Sequence, residues 1–492
     1  MLNNFKSKIS SLPYFNIIFY IIYWSLSITF IFLITSNANW TFGDDVEWLA
    51  TTAIGKVEPM TYHMTGGRFV PLAHYDFNIL TLFEYGQTPL AHYTWVAISF
   101  FVFAFFWLKA SKLLPQFNTP LSSHNTLSLS LSILFFLIIC LNISTVFLNI
   151  IYPERLLIVL LTIFLYNYLS AIKTGSTFKY ITAFICVIYA SYMKEPVSGA
   201  FTVLAITNLL AYKNLSTKEK IFYGGIILNF IIYMILYYLL VYSHTDHFYN
   251  QGRVLMPYLD MIIGIISGNI LLFILMLLLL IRVIYIICFK DFKHIVFDGL
   301  LFMAVSYTCA YMILKLNLSY YFIPTLFIGL FVLFYWSIQS FKVLKPSQII
   351  LPCLCILYIL INYSSCWQTY KINQLSKSTF MPLMVQISSD YNTHNFKFFH
   401  TFKGKIYTFN DEVILWQKHV LNQTLNYILK TQQFDYFKLI NSSDILTPKE
   451  ILFISVHDKN KSDEVNDWLS KHNFIPFLNF YGLTGYKYNN NK

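Results

Sequence analysis

Charged residues are scarce in this sequence: Asp, Glu, Lys and Arg make up 12% of the 492 residues, whereas hydrophobic residues make up 57%. Mean hydropathy is accordingly high, at +0.56. A chain of this composition could not fold in water without exposing a large apolar surface, which excludes a soluble globular protein. Apolar runs long enough to cross a hydrocarbon layer of about 30 Å recur from Phe15 to Asn362 and then stop. The sequence therefore predicts a helical membrane protein whose last part lies in a different environment.

Several familiar motifs are also lacking. Only seven cysteines occur, and six of them lie inside apolar runs, so no disulfide framework is expected. No phosphate loop of the G-x-x-x-x-G-K-[ST] type and no G-x-G-x-x-G fingerprint is present, which argues against ATP-driven transport and against a nucleotide-sugar site of that kind. His63, His74 and His92 share one loop, but their spacing matches no zinc pattern, and no metal site is predicted there.

The apolar runs predict eleven helices. They lie at residues 15–35, 91–113, 127–147, 154–172, 179–193, 197–212, 221–242, 258–287, 295–314, 320–339 and 347–364. The two short helices on either side of Pro196 could form one kinked hairpin or a broken helix. The first run is too long for a cleavable signal and lacks a cleavage site, so we expect it to remain in the protein.

The fold class that follows is an all-α polytopic membrane protein with about eleven transmembrane helices and a small α/β soluble domain at the C-terminus. We expect the transmembrane domain over residues 1–364, with a long first loop at residues 36–90. The soluble domain covers residues 365–492. Within it, helices are expected at residues 411–433 and 462–472, and strands at residues 451–457 and 474–488.

The positions of the basic residues predict the orientation. With the N-terminus inside, every cytoplasmic connection is basic, as the positive-inside rule requires. The residues concerned are Lys6, Lys8, Lys109, Lys112, Lys173, Lys179, Lys213, Lys218, Lys220, Arg282, Lys290, Lys293, Lys342 and Lys345. The pattern predicts a bacterial inner-membrane protein with a cytoplasmic N-terminus and an extracytoplasmic C-terminal domain. The net charge of +11 then reflects topology and contact with membrane lipids, not nucleic acid.

An acidic pair, Asp44 and Asp45, follows the first helix on the outer face. Adjacent carboxylates at a membrane surface can supply a general base or hold a divalent cation. They can also simply cap a surface helix that begins near Val46, where acidic residues complement the helix dipole. The residues alone leave both interpretations open.

Two outer turns each carry an acidic and a basic residue side by side, and three more cations lie on the same predicted face. We take these seven as candidate substrate-binding residues: Arg68, Glu154, Arg155, Lys194, Glu195, Arg253 and Lys315. Charges at membrane depth are costly, so they either pair locally at a helix end or meet a charged ligand, and the lone cations could contact lipid headgroups. If the turns converge, they form a basic cluster beside the acidic pair, which suits a lipid phosphate next to a carboxylate base.

The order of these features resembles the C-type (GT-C) fold of membrane glycosyltransferases, the class of the aminoarabinose transferase and the protein O-mannosyltransferases. The matching features are the acidic pair, residues 67–72 in the long loop, the turns at residues 153–155 and 194–196, and the terminal soluble domain. The resemblance implies that Asp44 or Asp45 acts as the base on a glycan, lipid or protein acceptor. It also implies a sugar donor on a polyprenyl phosphate, bound through the basic residues, and no cofactor; a divalent cation at the acidic pair is not claimed.

Two alternatives remain. One is an O-antigen polymerase or ligase of the cell envelope, although such proteins usually place their large outer loop between late helices. The other is a transporter or flippase for lipid-linked sugars, which would be expected to show internal pseudo-symmetry and charges in mid-helix. Neither of these two features is evident in the sequence.

Overall fold

The computed structural model divides the chain into two compact units. Residues Met1–Ser36, Pro59–Asp76 and Tyr93–Tyr370 form the first unit, and residues Asn37–Glu58, Phe77–His92 and Lys371–Lys492 form the second. The structure describes residues 13–38, 67–73, 75–81, 83, 90–114, 125–150, 152–245, 257–314, 316, 319–343, 346–375, 382, 384–385, 395–399, 417–425, 429, 437–440, 445–455, 462–480 and 483–489.

Every segment predicted as an apolar helix is helical. The helices are α1 (Pro13–Ser36), α2 (Tyr75–Thr81), α3 (Leu90–Ser111), α4 (Asn125–Leu148), α5 (Glu154–Thr174), α6 (Thr177–Ser191), α7 (Glu195–Leu209), α8 (Thr217–Leu240), α9 (Tyr258–Gly268), α10 (Ile270–Phe289), α11 (Ile295–Ile313), α12 (Ile323–Val343) and α13 (Ser347–Leu375). The predicted helix at residues 258–287 is divided at Asn269 into α9 and α10, because Asn269 adopts an extended backbone and caps α10.

Within the described residues, nine helices are long and apolar enough to cross a membrane, so the protein is a helical membrane protein. The predicted count of about eleven is not confirmed. The two short helices α6 and α7 have 15 residues each, or about 22 Å of helix, which is less than a hydrocarbon layer of about 30 Å. The turn between them shortens both helices, and Pro196 fits near the start of α7 because the first helical amides have no helical partner.

Most successive helices run in opposite directions, so the bundle has two ends at which helices begin or terminate. At the first, which we call the Glu154 end, α5, α7 and α12 begin and α11 ends. The loop before α2 lies at this end, where the Leu72 amide donates to the Tyr192 carbonyl at 3.0 Å. At the second, the Arg282 end, α6, α8 and α11 begin and α10 ends, and Lys218 donates to the Gly175 carbonyl at 2.7 Å.

Aromatic side chains fill the interior of this bundle. Phe103 stacks on Phe136 with ring centroids 6.0 Å apart, and Trp107 meets Phe331 edge-on at 5.5 Å. A glycine on α11, Gly299, lets that helix approach α7 closely, since a Cβ there would lie 3.0 Å from the Leu204 side chain. Lipid is as apolar as these side chains, so close packing of this kind stabilises the bundle.

The second unit contains a small mixed sheet. Its strands are β1 (Asn395–Phe399), β2 (Phe437–Ile440), β3 (Glu450–Ser455), β4 (Phe474–Phe480) and β5 (Leu483–Tyr488), in the order β2-β1-β3-β5-β4. The β1 strand pairs in parallel with β2 and β3, whereas β5 pairs antiparallel with β3 and β4. Helix α14 (Ser462–Lys471) packs Trp468 and Leu469 against Leu452 and Ile454.

The C-terminal elements were predicted in part. The strand at residues 451–457, the helix at residues 462–472 and the strands at residues 474–488 are present, with residues 417–425 helical inside the longer helix that was expected. Strands β1 and β2 were missed, because their partners are distant in sequence and no hairpin signal marks them.

Candidate functional site

The structure brings five of the predicted site residues to the Glu154 end. They are Arg68, Glu154, Arg155, Lys194 and Glu195. The other four, Asp44, Asp45, Arg253 and Lys315, lie outside the described residues. The roles of the acidic pair as a base or as a helix cap therefore stay predictions.

Arg68 forms a two-pronged ion pair with Glu195. Its Nε donates to Oε1 at 2.8 Å and its Nη2 to Oε2 at 3.4 Å. The preceding Gly67 has a φ of 66°, a left-handed conformation that glycine adopts at little cost. The loop is fixed to α8 by Tyr233, which donates to the Phe69 carbonyl at 3.0 Å, and by Tyr237, which donates to the Gly67 carbonyl at 3.2 Å. The backbone of this loop thus holds the guanidinium in place.

This pair remains accessible at its outer side. The Arg68 and Glu195 side chains are 34% and 25% exposed. Glu195 raises the pKa of Arg68, and although burial alone would raise the pKa of Glu195, Arg68 holds that pKa below its usual value. Both groups are therefore charged near neutral pH.

The second pair, between Lys194 and Glu154, is buried. The Lys194 Nζ lies 2.6 Å from Glu154 Oε1, and the side chains are only 7% and 0% exposed. The first turn of α5 carries Glu154, where the helix dipole favours a negative charge. Glu154 Oε2 has no hydrogen-bond partner in the described part of the chain. Lys194 is the only cation that forms an ion pair with Glu154 among the described residues.

The third pair joins Arg155 to Asp76. Arg155 Nη2 donates to Asp76 Oδ2 at 2.7 Å, and Nη1 donates to the Ile150 carbonyl at 2.9 Å. Trp95 Nε1 also donates to Asp76 Oδ2, at 3.0 Å. The sequence interpretation left Asp76 and Trp95 out of the site, because neither belongs to a charged turn.

None of these three ion pairs joins two residues of the same turn. Each charged residue of the two turns pairs with a residue from another segment: α5 with the turn before α7, the start of α7 with the loop before α2, and α5 with α2. The turns therefore converge. Three cations face three carboxylates, so the described part of the cluster is electrically balanced.

A row of tyrosines lies beside these ion pairs. The row consists of Tyr152, Tyr320, Tyr321, Tyr311 and Tyr307. The rings of Tyr311 and Tyr321 stack at 4.6 Å with 12° between their planes, and Lys194 Nζ lies 5.0 Å from the Tyr321 ring. Sequence reasoning singled out none of them, because 37 tyrosines are present and most pack against lipid or core. The adjacency of Tyr152 to the Glu154 turn was the available signal.

A different charged cluster lies at the Arg282 end. Arg282 donates to Asp298 through Nε at 2.7 Å and through Nη2 at 2.9 Å, and its Nη1 lies 3.4 Å from Asp291 Oδ2. The guanidinium lies over the Trp336 ring at 4.8 Å. The sequence interpretation treated Arg282 only as a marker of topology, yet it joins α10 to α11.

Within the described ranges, no group of three or more His, Cys, Asp or Glu is placed to hold a metal ion. The acidic pair at residues 44–45 is outside these ranges, so the structure does not bear on a cation there.

The fold and this cluster define a class: a polytopic α-helical membrane protein with a charged, tyrosine-lined cluster at one end of its bundle. No protein-family model matches the chain, and no significant match was found among curated proteins or among solved structures. The resemblance to GT-C glycosyltransferases is therefore supported by the order of the sequence motifs alone.

Proposed function

We propose that this protein is a membrane glycosyltransferase. It moves a sugar from a polyprenyl-phosphate donor to an envelope glycan, lipid or protein acceptor, on the outer face of the bacterial inner membrane. The observation that carries the proposal is the convergence of Arg68, Arg155 and Lys194, from three separate segments, at one end of the bundle. Transfer from a lipid phosphate requires cations that stabilise the charge of the leaving phosphate. Cations that lie apart from one another on the surface could not act together on one phosphate.

Within this cluster, Arg68 is the residue best suited to contact the donor phosphate. Its side chain is 34% exposed, whereas those of Arg155 and Lys194 are almost fully buried. A guanidinium that already makes a two-pronged contact with a carboxylate has the geometry to make one with a phosphate. Arg253 and Lys315 would supply the additional positive charge that a phosphate needs beside a balanced cluster. In this proposal the buried pair of Lys194 and Glu154 does not contact the donor and instead positions the neighbouring Glu195 and Arg68.

The proposed reaction is an inverting displacement. The acceptor hydroxyl or amine attacks the anomeric carbon and forms the new bond, while the bond from that carbon to the phosphate oxygen breaks. The carboxylate of Asp44 or Asp45 takes the acceptor proton, and Arg68 stabilises the charge on the departing polyprenyl phosphate.

The distribution of lysines supports the orientation that this reaction needs. The described connections at the Arg282 end carry most of the lysines of the bundle: Lys173, Lys179, Lys213, Lys218, Lys220, Lys290 and Lys293. The positive-inside rule favours a cytoplasmic location for that end. The Glu154 end would then face outward, where lipid-linked donors are used.

The deciding experiment replaces Asp44 or Asp45 by Asn. Asn keeps the size of Asp and caps helices about equally well, so a capping role predicts nearly unchanged transfer. A general base contributes about 100-fold or more to the rate, so loss of the base should reduce transfer by that factor. Activity is measured in membranes as sugar transferred from a polyprenyl-phosphate donor, normalised to the amount of inserted protein.

Asp260→Asn is the matched control, because Asp260 is an acidic residue in the first turn of α9 and belongs to none of the ion pairs between described residues. It should transfer sugar at the parental rate. If both Asp44→Asn and Asp45→Asn do so as well, the glycosyltransferase proposal is wrong, and a transporter or a polymerase of lipid-linked sugars becomes the better explanation.

A further inference from the structure

A polar cavity of about 480 Å³ lies beside the break between α9 and α10. Its walls come from α4, α12 and α13 as well as from the break itself, all within the first unit. The polar residues on which the argument rests are Asn142, Thr145, Asn269, Tyr358, Asn362 and Ser365. None of the described residues that line the cavity is charged. The volume lies in the range of pockets that bind small molecules.

The lining retains unused hydrogen-bonding capacity. Asn142 and Asn362 each donate to the carbonyl four residues earlier, at 2.7 Å and 2.9 Å, and Tyr358 donates to Asn142 Oδ1 at 3.3 Å. Within the described residues, Asn362 Oδ1 and the Thr145 hydroxyl have no hydrogen-bond partner. Amide and hydroxyl groups at membrane depth are costly unless they are satisfied, so their concentration around one cavity indicates a polar occupant.

The break in the helix supports the same conclusion. Asn269 has φ −147° and ψ 97°, and its side chain accepts from the Leu271 amide to start α10 anew. Non-helical backbone inside the hydrocarbon region is tolerated where it is buried in protein or lines a cavity. The helix is interrupted between α9 and α10 beside the polar cavity, and membrane transporters use such interruptions to bind polar ligands.

The cavity is close to the charged cluster along the chain. Ile323 and Leu326, which form part of its wall, lie two and five residues after Tyr321 of the tyrosine row. On α4, Asn142 is six residues before the end at Leu148, or about 9 Å along the helix axis. The cavity and the ion pairs are therefore both near the Glu154 end, but they differ in chemistry: one is uncharged and the other ionic.

We propose that this cavity binds the uncharged, hydroxyl-rich sugar part of a lipid-linked glycan. Amide and hydroxyl side chains pair with sugar hydroxyls, and an uncharged lining gives no attraction for a phosphate. The inference rests on the proposed function for the nature of the carrier lipid and deepens it: the sugar and the phosphate of the substrate occupy different places.

The test uses a photoreactive octyl glucoside that carries its diazirine next to the sugar. The full-length protein, purified into nanodiscs, is irradiated with this probe and the labelled peptides are mapped by mass spectrometry. We expect labelling within residues 141–145 and 358–369, and competition by unlabelled octyl glucoside on the parental protein. The double substitution Asn142→Leu/Asn362→Leu should reduce this labelling about fivefold, since two hydrogen-bonding amides are lost.

Asn167→Leu is the matched control. Asn167 makes the same bond to the carbonyl four residues earlier, at 2.8 Å, but lies on α5 and not in the cavity wall. The labelling of the Asn167→Leu variant should equal that of the parental protein.

A photoreactive octyl phosphocholine, which has the same alkyl chain and no sugar, is the control probe. It should label residues 141–145 and 358–369 weakly.

Three results would overturn the proposal: no glucoside labelling at these peptides, equal labelling by the phosphocholine probe, or no competition by octyl glucoside on the parental protein. The last two would make the cavity a contact for membrane lipid. Labelling without any sugar transfer would contradict the proposed function and keep the inference, whereas transfer without labelling would contradict the inference alone.

Discussion

The two ends of the helical bundle differ in how their buried charged residues are paired. At the Arg282 end, one arginine is held between consecutive helices, and Arg282 and Asp298 are 6% and 0% exposed. At the Glu154 end, three ion pairs join segments that are far apart in sequence, and one of them is accessible. A buried pair between neighbouring helices contributes to stability, whereas under the proposed function the accessible Arg68 would also contact the donor phosphate. Substitutions at the two ends should therefore separate stability from activity.

The largest expected effect is at the Arg282 end. Replacing Arg282 by Met leaves Asp298 buried without its two hydrogen bonds and removes the contact with Trp336. Removing one partner of a buried ion pair costs about 3–5 kcal/mol, and we expect a loss near the top of this range, about 5 kcal/mol. Thermal unfolding of the purified protein in detergent measures it.

The double variant Arg282→Met/Asp298→Leu is the control for that prediction. It replaces the whole pair by apolar side chains and should recover most of the stability, because a buried pair and an apolar pair are often of similar stability. A loss below about 1 kcal/mol in the single variant would mean that this buried pair contributes no more to stability than an exposed ion pair does.

The next effect is at the Glu154 end. Replacing Lys194 by Met removes a single ammonium contact at 2.6 Å and should cost about 3 kcal/mol in the same unfolding measurement. The double variant Lys194→Met/Glu154→Leu should recover this stability. It should not recover sugar transfer, since the positioning charges are gone. Restored transfer in the double variant would show that this pair only holds the fold, as the pair at the other end does.

The smallest effect concerns Arg68 and Glu195. Because the pKa of Glu195 is lower in the folded protein than its usual value of 4.5, the pair stabilises the protein fully above that pH and progressively less as the pH falls through the folded pKa. The side chains are partly exposed, so the contribution is about 1 kcal/mol or less. Unfolding midpoints between pH 7 and pH 3 should fall more steeply for the parental protein than for Arg68→Gln. Equal slopes below pH 4.5 would mean that Glu195 does not depend on Arg68.

Much of the first unit was predictable, because transmembrane helices are marked by local composition. Each apolar run became a helix, and the charged turns beside Pro153 and Pro196 lie where the runs end. The division at Asn269 was not predicted, because the three residues Ser267, Gly268 and Asn269 are too few to interrupt the long apolar run on either side of them. The tyrosine row was missed for a related reason: a tyrosine in an apolar run looks the same whether it faces lipid, the core or a ligand.

The sequence by itself determined that this chain spans a membrane, where its helices run and which residues carry charge at their ends. These properties depend on side chains a few residues apart and on the cost of moving them from water to lipid. Only the tertiary structure decided that Glu154 pairs with Lys194 and not with its neighbour Arg155, and that amides from α4 and α13 line one cavity. Pairing between residues so far apart in sequence depends on how the helices pack against one another. Residues that are neighbours in the sequence do not specify this packing.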